Sequence, residues 1–169
     1  MPADFADLEQ RCMAALSAQG GDAAHGLEHV QRVVMNAKQL AAAEGARLEV
    51  VVPAAWLHDC VEDQGVTVPA LRDAFGDMVA EGVRLLSDLE VGNRAQRKAM
   101  SRDRLANAPG WVQTIKCADL ISNTRSIVMH DSKFATVYLE EKRLLLARLT
   151  AADQRLLAIA RMQASEAVG

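Results

Sequence analysis

Apolar residues recur every three or four positions along most of this chain, and this period limits the fold more than any other feature. Between about Ala24 and Glu44 the recurring residues are Leu27, Val30, Val33, Val34, Ala37 and Leu40. This spacing places them on one face of an α-helix. Aromatic residues make up only 4% of the 169 residues, whereas 50% are apolar. Packed helices are therefore favoured over a sheet of β-branched and aromatic side chains, and we predict an all-α fold.

The same period and the usual end signals predict the other helices. Val50 to Val52 alone resemble a strand, but Pro53 suits the first turn of a helix that continues through His58. Thr67 is predicted to cap a short helix that Gly76 closes. The remaining predicted helices cover 3–18, 78–88, 111–129, 134–148 and 151–163, and the most basic stretch, 90–110, is predicted as a helix or an ordered loop. With no repeat or linker, we expect one domain over 1–169, with a motif-bearing core of about 22–148.

Charge and composition exclude several classes of protein. The 19 basic and 22 acidic residues give a formal charge of −3, so no basic arm for nucleic acid is expected. Cys12, Cys60 and Cys117 lack metal-binding or disulfide spacing, and we expect buried, reduced thiols. The amino terminus lacks a signal-peptide pattern, and no apolar run is long enough to span a membrane. The expected setting is the cytoplasm, without membrane partners.

The stretch WLHDCVED places four ionisable side chains directly after an apolar segment. These are His58, Asp59, Glu62 and Asp63. Burying an unpaired charge at such a position costs on the order of several kcal/mol. Pairing with an opposite charge or binding to a metal offsets this cost. The second His-Asp dipeptide of the chain, at 130–131, lies in a polar break, where it is expected to end one helix and cap the next. The first dipeptide is therefore the candidate site.

Two further elements supply partners for it. His25 and His29 stand four apart on one helix face, although an isolated pair of this kind is more often simply hydrogen-bonded. Asp119 lies in a helix that is otherwise internal, with Lys116 and Asn123 three and four positions away, so a plain salt bridge is the competing interpretation. Each element alone is weak.

Together, His29, His58, Asp59 and Asp119 offer two imidazoles and two carboxylates from three helices. This donor set suits Mn²⁺, Fe²⁺, Co²⁺ or Zn²⁺. Four protein ligands leave positions of a six-coordinate ion for a water and a phosphate oxygen. The combination indicates a metal-dependent hydrolase.

The order of these residues resembles the H…HD…D signature of the HD-domain metal-dependent phosphohydrolases, a family of helical bundles. Within it, LHDCVEDQGVTVPALRDAFGDMVAEGV resembles the RelA/SpoT hydrolase domain and the small alarmone hydrolases, whose hallmark is HDxxED. IKCADLISNTR resembles their KxADxxxNxR pattern, and RAQRKAM resembles the basic stretch before it. The resemblance covers about residues 25–125. It implies removal of the 3′-pyrophosphate from guanosine tetra- or pentaphosphate, usually with Mn²⁺, with Fe²⁺, Co²⁺, Mg²⁺ or Zn²⁺ as alternatives.

The resemblance also implies roles for individual residues. The metal ligands would be His29, His58, Asp59 and Asp119. Glu62 and Asp63 would orient or deprotonate the attacking water. The residues expected to contact the nucleotide substrate are His25, Arg97, Lys98, Lys116, Asn123 and Arg125.

Two other functions stay open at the level of sequence. Alarmone hydrolases usually carry RKxGxxYxxH before the first metal histidine, whereas this chain reads QGGDAAHGLEH. HGLEHVQRV is closer to the general nucleotidase branch, which favours hydrolysis of 5′ phosphates as an alternative. A non-catalytic nucleotide sensor is a second alternative, although a sensor would have little physical need for the Glu62-Asp63 pair.

Overall fold

The structure is a computed structural model. It describes residue 7 and residues 10–14, 23–44 and 47–166, except for the side chains of 23–27 and 40–44. Across these residues the regular secondary structure is entirely helical, which confirms the all-α prediction. The described helices are α1 (Ala23–Glu44), α2 (Leu48–Leu57), α3 (Cys60–Asp63), α4 (Val68–Phe75), α5 (Asp77–Leu86), α6 (Arg94–Ala106), α7 (Gly110–His130), α8 (Ser132–Leu146) and α9 (Gln154–Glu166).

The helices group into two compact units, Met1–Leu89 and Glu90–Gly169. In the first unit α2 packs against α1 and α5, and α4 packs against α5. In the second unit α7, α8 and α9 pack against one another, and α6 contacts α7 and α8. The expectation of one domain over the whole chain stays a prediction.

Helix α2 is the most buried element of the first unit. Every residue from Val50 to Leu57 is buried, and this burial favours a helix over the strand that three consecutive valines suggest. The predicted place of Pro53 is wrong, because the helix begins at Leu48 and Pro53 lies inside it. Pro53 has no N–H to donate to the carbonyl of Glu49, so the buried face of the helix outweighs one missing hydrogen bond.

The capping signals in the sequence are confirmed. The Thr67 hydroxyl accepts a hydrogen bond from the Ala70 N–H at 3.3 Å, and α4 ends at Gly76, whose φ of 88° suits glycine. Asp131 follows the end of α7 and accepts from the Phe134 N–H at 3.1 Å at the start of α8. The second His-Asp dipeptide is therefore a helix boundary, as predicted.

The ends of several predicted helices differ from those of the structure. Helices α8 and α9 each begin and end at other residues than 134–148 and 151–163. The shift at α9 has a local cause, because the Asp153 carboxylate accepts from the N–H groups of Arg155 and Leu156 at 2.9 and 3.1 Å and so caps the helix. Residues 10–14 of the predicted first helix are helical. Residue 7 is helical as well, and the rest of that helix lies outside the described residues. So do Gly20, the predicted end of the first helix, and Gly45, the predicted end of the second.

The three cysteines are buried and form no disulfide, as predicted. Burial raises the pKa of the Cys60 and Cys117 thiols to about 12. Both thiols are therefore protonated near neutral pH, which is typical of structural cysteines. In the part of the chain that the structure describes, none of the helices has the combination of length and apolar character that crossing a bilayer requires.

Candidate metal centre

Three of the predicted ligands meet in the first unit. His29 lies in the middle of α1, while His58 and Asp59 directly follow the buried helix α2. The Nε2 atoms of His29 and His58 are 3.4 Å apart. The Oδ2 atom of Asp59 is 3.0 Å from Nε2 of His58 and 3.9 Å from Nε2 of His29. Two imidazole nitrogens and one carboxylate oxygen thus converge.

The tautomer of His58 is set by the backbone. Its Nδ1 lies 2.8 Å from the carbonyl oxygen of Ala55, and an oxygen acceptor at this distance requires Nδ1 to carry the proton. The lone pair of Nε2 then faces His29 and Asp59. Since His58 is only 2% exposed, packing and this hydrogen bond together fix the ring, as metal-bound histidines require.

The donor set and its spacing fit a divalent cation. Ligand atoms held about 2.0–2.2 Å from one ion stand roughly 3–3.5 Å from one another in tetrahedral or octahedral geometry. The separations of 3.0 and 3.4 Å match this range, and 3.9 Å exceeds it slightly. The three residues are geometrically suited to metal binding, each through one atom. Neutral imidazoles with a carboxylate suit Mn²⁺, Fe²⁺, Co²⁺ and Zn²⁺ alike, so this geometry does not select one metal.

Asp119 belongs to α7 in the second unit and is 3% exposed. Its Oδ2 accepts a hydrogen bond from Lys116 Nζ at 2.9 Å, and its Oδ1 accepts one from Asn123 Nδ2, also at 2.9 Å. The salt bridge that the sequence offered as a competing interpretation is therefore present. It does not exclude metal binding, because each oxygen has a second lone pair and the two partners fix the orientation of the carboxylate.

Glu62 and Asp63 form the end of the short helix α3, four and five residues after His58, and both are exposed. Oε1 of Glu62 accepts a hydrogen bond from the backbone N–H of Asp88. No local pattern in the sequence indicates this contact, since it joins residues 26 positions apart. One carboxylate oxygen of the predicted pair thus anchors the segment that follows α5.

The predicted substrate residues lie in different environments. His25 lies in α1, with its side chain outside the described part of the structure. Arg97 and Arg125 are exposed, and Lys98, Lys116 and Asn123 are half-buried. Lys116 and Asn123 both donate hydrogen bonds to the Asp119 carboxylate.

Two arginines of the basic segment have structural roles that sequence reasoning missed. Arg94 makes a two-point ion pair with Glu141, with nitrogen–oxygen distances of 2.6 and 2.8 Å, and Arg104 pairs with Glu90. Glu141 lies 47 positions from Arg94 and Glu90 lies outside α6, so the spacing of charges along the helix could not identify these pairs. Part of the positive charge of α6 is therefore used to hold the second unit together.

The helical architecture is that of an HD-type helical fold. A solved structure described as a metazoan ortholog of SpoT that hydrolyses ppGpp matches with a TM-score of 0.68 and 22% identity, over 82% of this chain and 80% of that chain. The protein lmo0812 of Listeria monocytogenes EGD-e matches with a TM-score of 0.65 and 21% identity, over 81% and 94%. At these identities the likeness shows the fold.

Two curated relatives extend the resemblance to sequence. A probable GTP pyrophosphokinase of Mycobacterium leprae (strain TN) is 38% identical over 79 residues, which are 44% of this chain and 10% of that protein. The guanosine-3′,5′-bis(diphosphate) 3′-pyrophosphohydrolase MESH1 of Danio rerio is 31% identical over 77 residues, 46% of this chain and 43% of that protein. The matches thus span less than half of either relative. No protein-family model matches the chain.

Proposed function

We propose that this protein is a metal-dependent phosphohydrolase that removes the 3′-pyrophosphate from guanosine 3′,5′-bis(diphosphate). The observation that carries the proposal is the convergence of His29, His58 and Asp59, followed in sequence by the Glu62-Asp63 pair. The 3′-pyrophosphohydrolase activity for which the Danio rerio relative is named and the HD-type fold support this substrate over a 5′ phosphate or a purely sensory role.

The ligand set would be His29, His58, Asp59 and Asp119, with Mn²⁺ as the proposed ion. Asp119 supports this role by being a buried carboxylate whose two oxygens are already oriented by Lys116 and Asn123. A bound divalent cation supplies charge neutralisation for a phosphate oxygen and lowers the pKa of a water.

The protein's own groups would direct the proton and the charge. Asp63, with Glu62, accepts the proton of the attacking water, a role that contributes about 10²–10⁴-fold in rate. The Asp88 N–H holds Glu62 in one orientation through Oε1. The Ala55 carbonyl keeps the proton of His58 on Nδ1, so Nε2 stays available as a ligand.

Basic and amide side chains would bind the nucleotide. Negative charge develops on phosphate oxygens during cleavage, and positioned cations stabilise it. Arg97 is exposed and Lys98 is half-buried on α6, in keeping with contact to a diffusing ligand. The proposed substrate contacts are His25, Arg97, Lys98, Lys116, Asn123 and Arg125.

The proposed setting is the cytoplasm, where the partner is a small nucleotide. The formal charge of −3 gives no general attraction to nucleic acid, which supports a small-molecule substrate instead.

The second His-Asp dipeptide provides a matched control for the test. The Mn²⁺-loaded full chain is incubated with guanosine tetraphosphate, and release of pyrophosphate is followed. His58→Ala should abolish turnover, whereas His130→Ala, at an exposed helix end, should retain it. Asp63→Asn should lower kcat by about 10²–10⁴-fold.

Two outcomes would contradict the proposal. If the products were inorganic phosphate or a nucleotide shortened at its 5′ end, the 3′-pyrophosphohydrolase assignment would be wrong. If His58→Ala turned over as fast as the parent, the metal centre itself would be misplaced.

A further inference from the structure

Lys142 is a charged residue in an apolar position. It lies on α8 in the stripe formed by Ala135, Leu139 and Leu146, and its exposure is 1%. Lysine is almost never buried to this degree unless its amine is paired, because removing an ammonium group from water is costly. Methionine or leucine would satisfy the helical pattern at this position better.

The Lys142 amine donates to two neutral oxygens. Its Nζ is 2.6 Å from Oγ1 of Thr124 on α7 and 3.0 Å from Oε1 of Gln163 on α9. Desolvation lowers the pKa of this amine to about 8. The neutral acceptors leave much of the cost of burial uncompensated, so stability alone gives no reason for a lysine here.

The contacts of Lys142 converge on one turn of α7. Oγ1 of Thr124 donates to the Leu120 carbonyl at 2.6 Å, and Nε2 of Gln163 donates to the Ile121 carbonyl at 3.4 Å. Tyr138 OH also donates to the Leu120 carbonyl at 3.3 Å. We call the side chains of Thr124, Tyr138, Lys142 and Gln163 the polar clamp.

The clamped turn also carries a proposed metal ligand and its hydrogen-bond partner. Asn123, next to Thr124, donates to the Asp119 carboxylate at 2.9 Å. Residues 119 and 123 share one helix face, and residues 120 and 124 share the adjacent one. A shift of the turn by a fraction of an ångström would therefore move Asp119 and Asn123 together.

We propose that Lys142 is a positioning residue, which through the polar clamp fixes the 120–124 turn of α7 and so the orientation of Asp119 and Asn123. The proposal rests on the proposed function in taking Asp119 as a metal ligand. Lys142 itself touches neither substrate nor metal in this role. It acts through Thr124 and Gln163, in the way that residues hydrogen-bonded to metal ligands orient those ligands.

The test compares Lys142→Met with Lys133→Met in the full chain. Lys133 is an exposed lysine on the same helix, so it controls for the loss of a charge. We expect Lys142→Met to raise the dissociation constant for Mn²⁺ by about tenfold and to speed hydrogen exchange at the amides of residues 121–125. With guanosine tetraphosphate, kcat should fall more than KM changes, and Lys133→Met should match the parent in every measurement.

A second variant keeps the test decisive if Lys142→Met does not fold. Gln163→Leu removes one acceptor of Lys142 and the donor to Ile121, and it should weaken Mn²⁺ binding in the same direction. Parent-like Mn²⁺ affinity and exchange in a folded Lys142→Met or Gln163→Leu variant would overturn the inference. If the parent protein did not hydrolyse guanosine tetraphosphate, the proposed function would be wrong. Mn²⁺ titration and hydrogen exchange at residues 121–125 would still test the role of Lys142.

Discussion

His58 is a residue whose two ring nitrogens have separate tasks. Nδ1 is satisfied within its own helix turn by the Ala55 carbonyl, and Nε2 faces His29 and Asp59. A buried imidazole held by a contact to only one ring nitrogen could rotate or change tautomer, and the lone pair would then no longer face the site. The apolar run before His58 therefore does more than fill the core, because it places the ring where only Nε2 remains for a ligand.

Lys142→Met should stabilise the protein at neutral pH. The pKa of Lys142 falls from 10.5 to about 8 on burial, so between these values the unfolded chain binds more protons than the folded one. The free energy of unfolding therefore rises with pH between about 8 and 10.5. Below about pH 8 it is reduced by the full cost of burying the charged amine. The shift corresponds to about 3 kcal/mol as an upper limit, and we expect a gain of about 1–3 kcal/mol at pH 7.

Urea denaturation at pH 7 and pH 10 checks this prediction, since the gain should shrink at the higher pH. Two other titratable groups lie near Lys142. Cys117 interacts electrostatically with it, and Tyr138 is a member of the polar clamp. Burial raises the pKa of both groups to about 12, so they stay neutral over this window. Lys133→Met should change stability by less than about 0.5 kcal/mol. A Lys142→Met protein less stable than the parent at pH 7 would show that the amine contributes net stabilisation.

Helix boundaries in this chain follow local chemistry where a capping side chain is available. Thr67, Gly76 and Asp131 act as the sequence predicts, because each needs only a neighbour three or four residues away. Pro53 does not lie in the first turn of its helix as predicted, because burial of the whole segment from Val50 to Leu57 determines where that helix forms. Tertiary packing of this kind leaves no local sign in the residues themselves.

The capping box of α6 should contribute measurably to stability. Oδ1 of Asn93 accepts from the Gln96 N–H at 3.0 Å, and Oε1 of Gln96 accepts from the Asn93 N–H at 3.0 Å. Asn93→Ala removes the side-chain acceptor of this reciprocal pair, while the backbone N–H of residue 93 remains, and the change should cost about 1 kcal/mol in urea denaturation. Asn93→Asp retains the acceptor and should cost less. Equal stability of the alanine variant and the parent would show that other contacts hold the start of α6.

Over the whole molecule, the sequence predicts which groups lie together at the candidate metal centre better than it predicts contacts between distant segments. His29, His58 and Asp59 were predicted together from chemistry, since buried imidazole and carboxylate groups need a common partner. The Glu62 contact with Asp88 joins residues 26 positions apart, and the contacts of Lys142 with Thr124 and Gln163 join residues 18 and 21 positions apart. Such pairings depend on how helices pack, and neither periodicity nor charge pattern specifies them.

Binding of a metal to the folded chain should raise its thermal stability. A ligand at about 100 times its dissociation constant adds about 2.7 kcal/mol when the unfolded chain does not bind it, and for a protein of this size that is roughly 5–10 °C in Tm. Calorimetry with increasing Mn²⁺ should show this rise in the parent and in His130→Ala, but not in His29→Ala. His29 would supply one of the two imidazoles of the site, with its Nε2 3.4 Å from that of His58, so its removal should weaken binding enough that the same Mn²⁺ concentration gives little or no rise. A His29→Ala protein that Mn²⁺ stabilises as strongly as the parent would mean that the ion binds elsewhere.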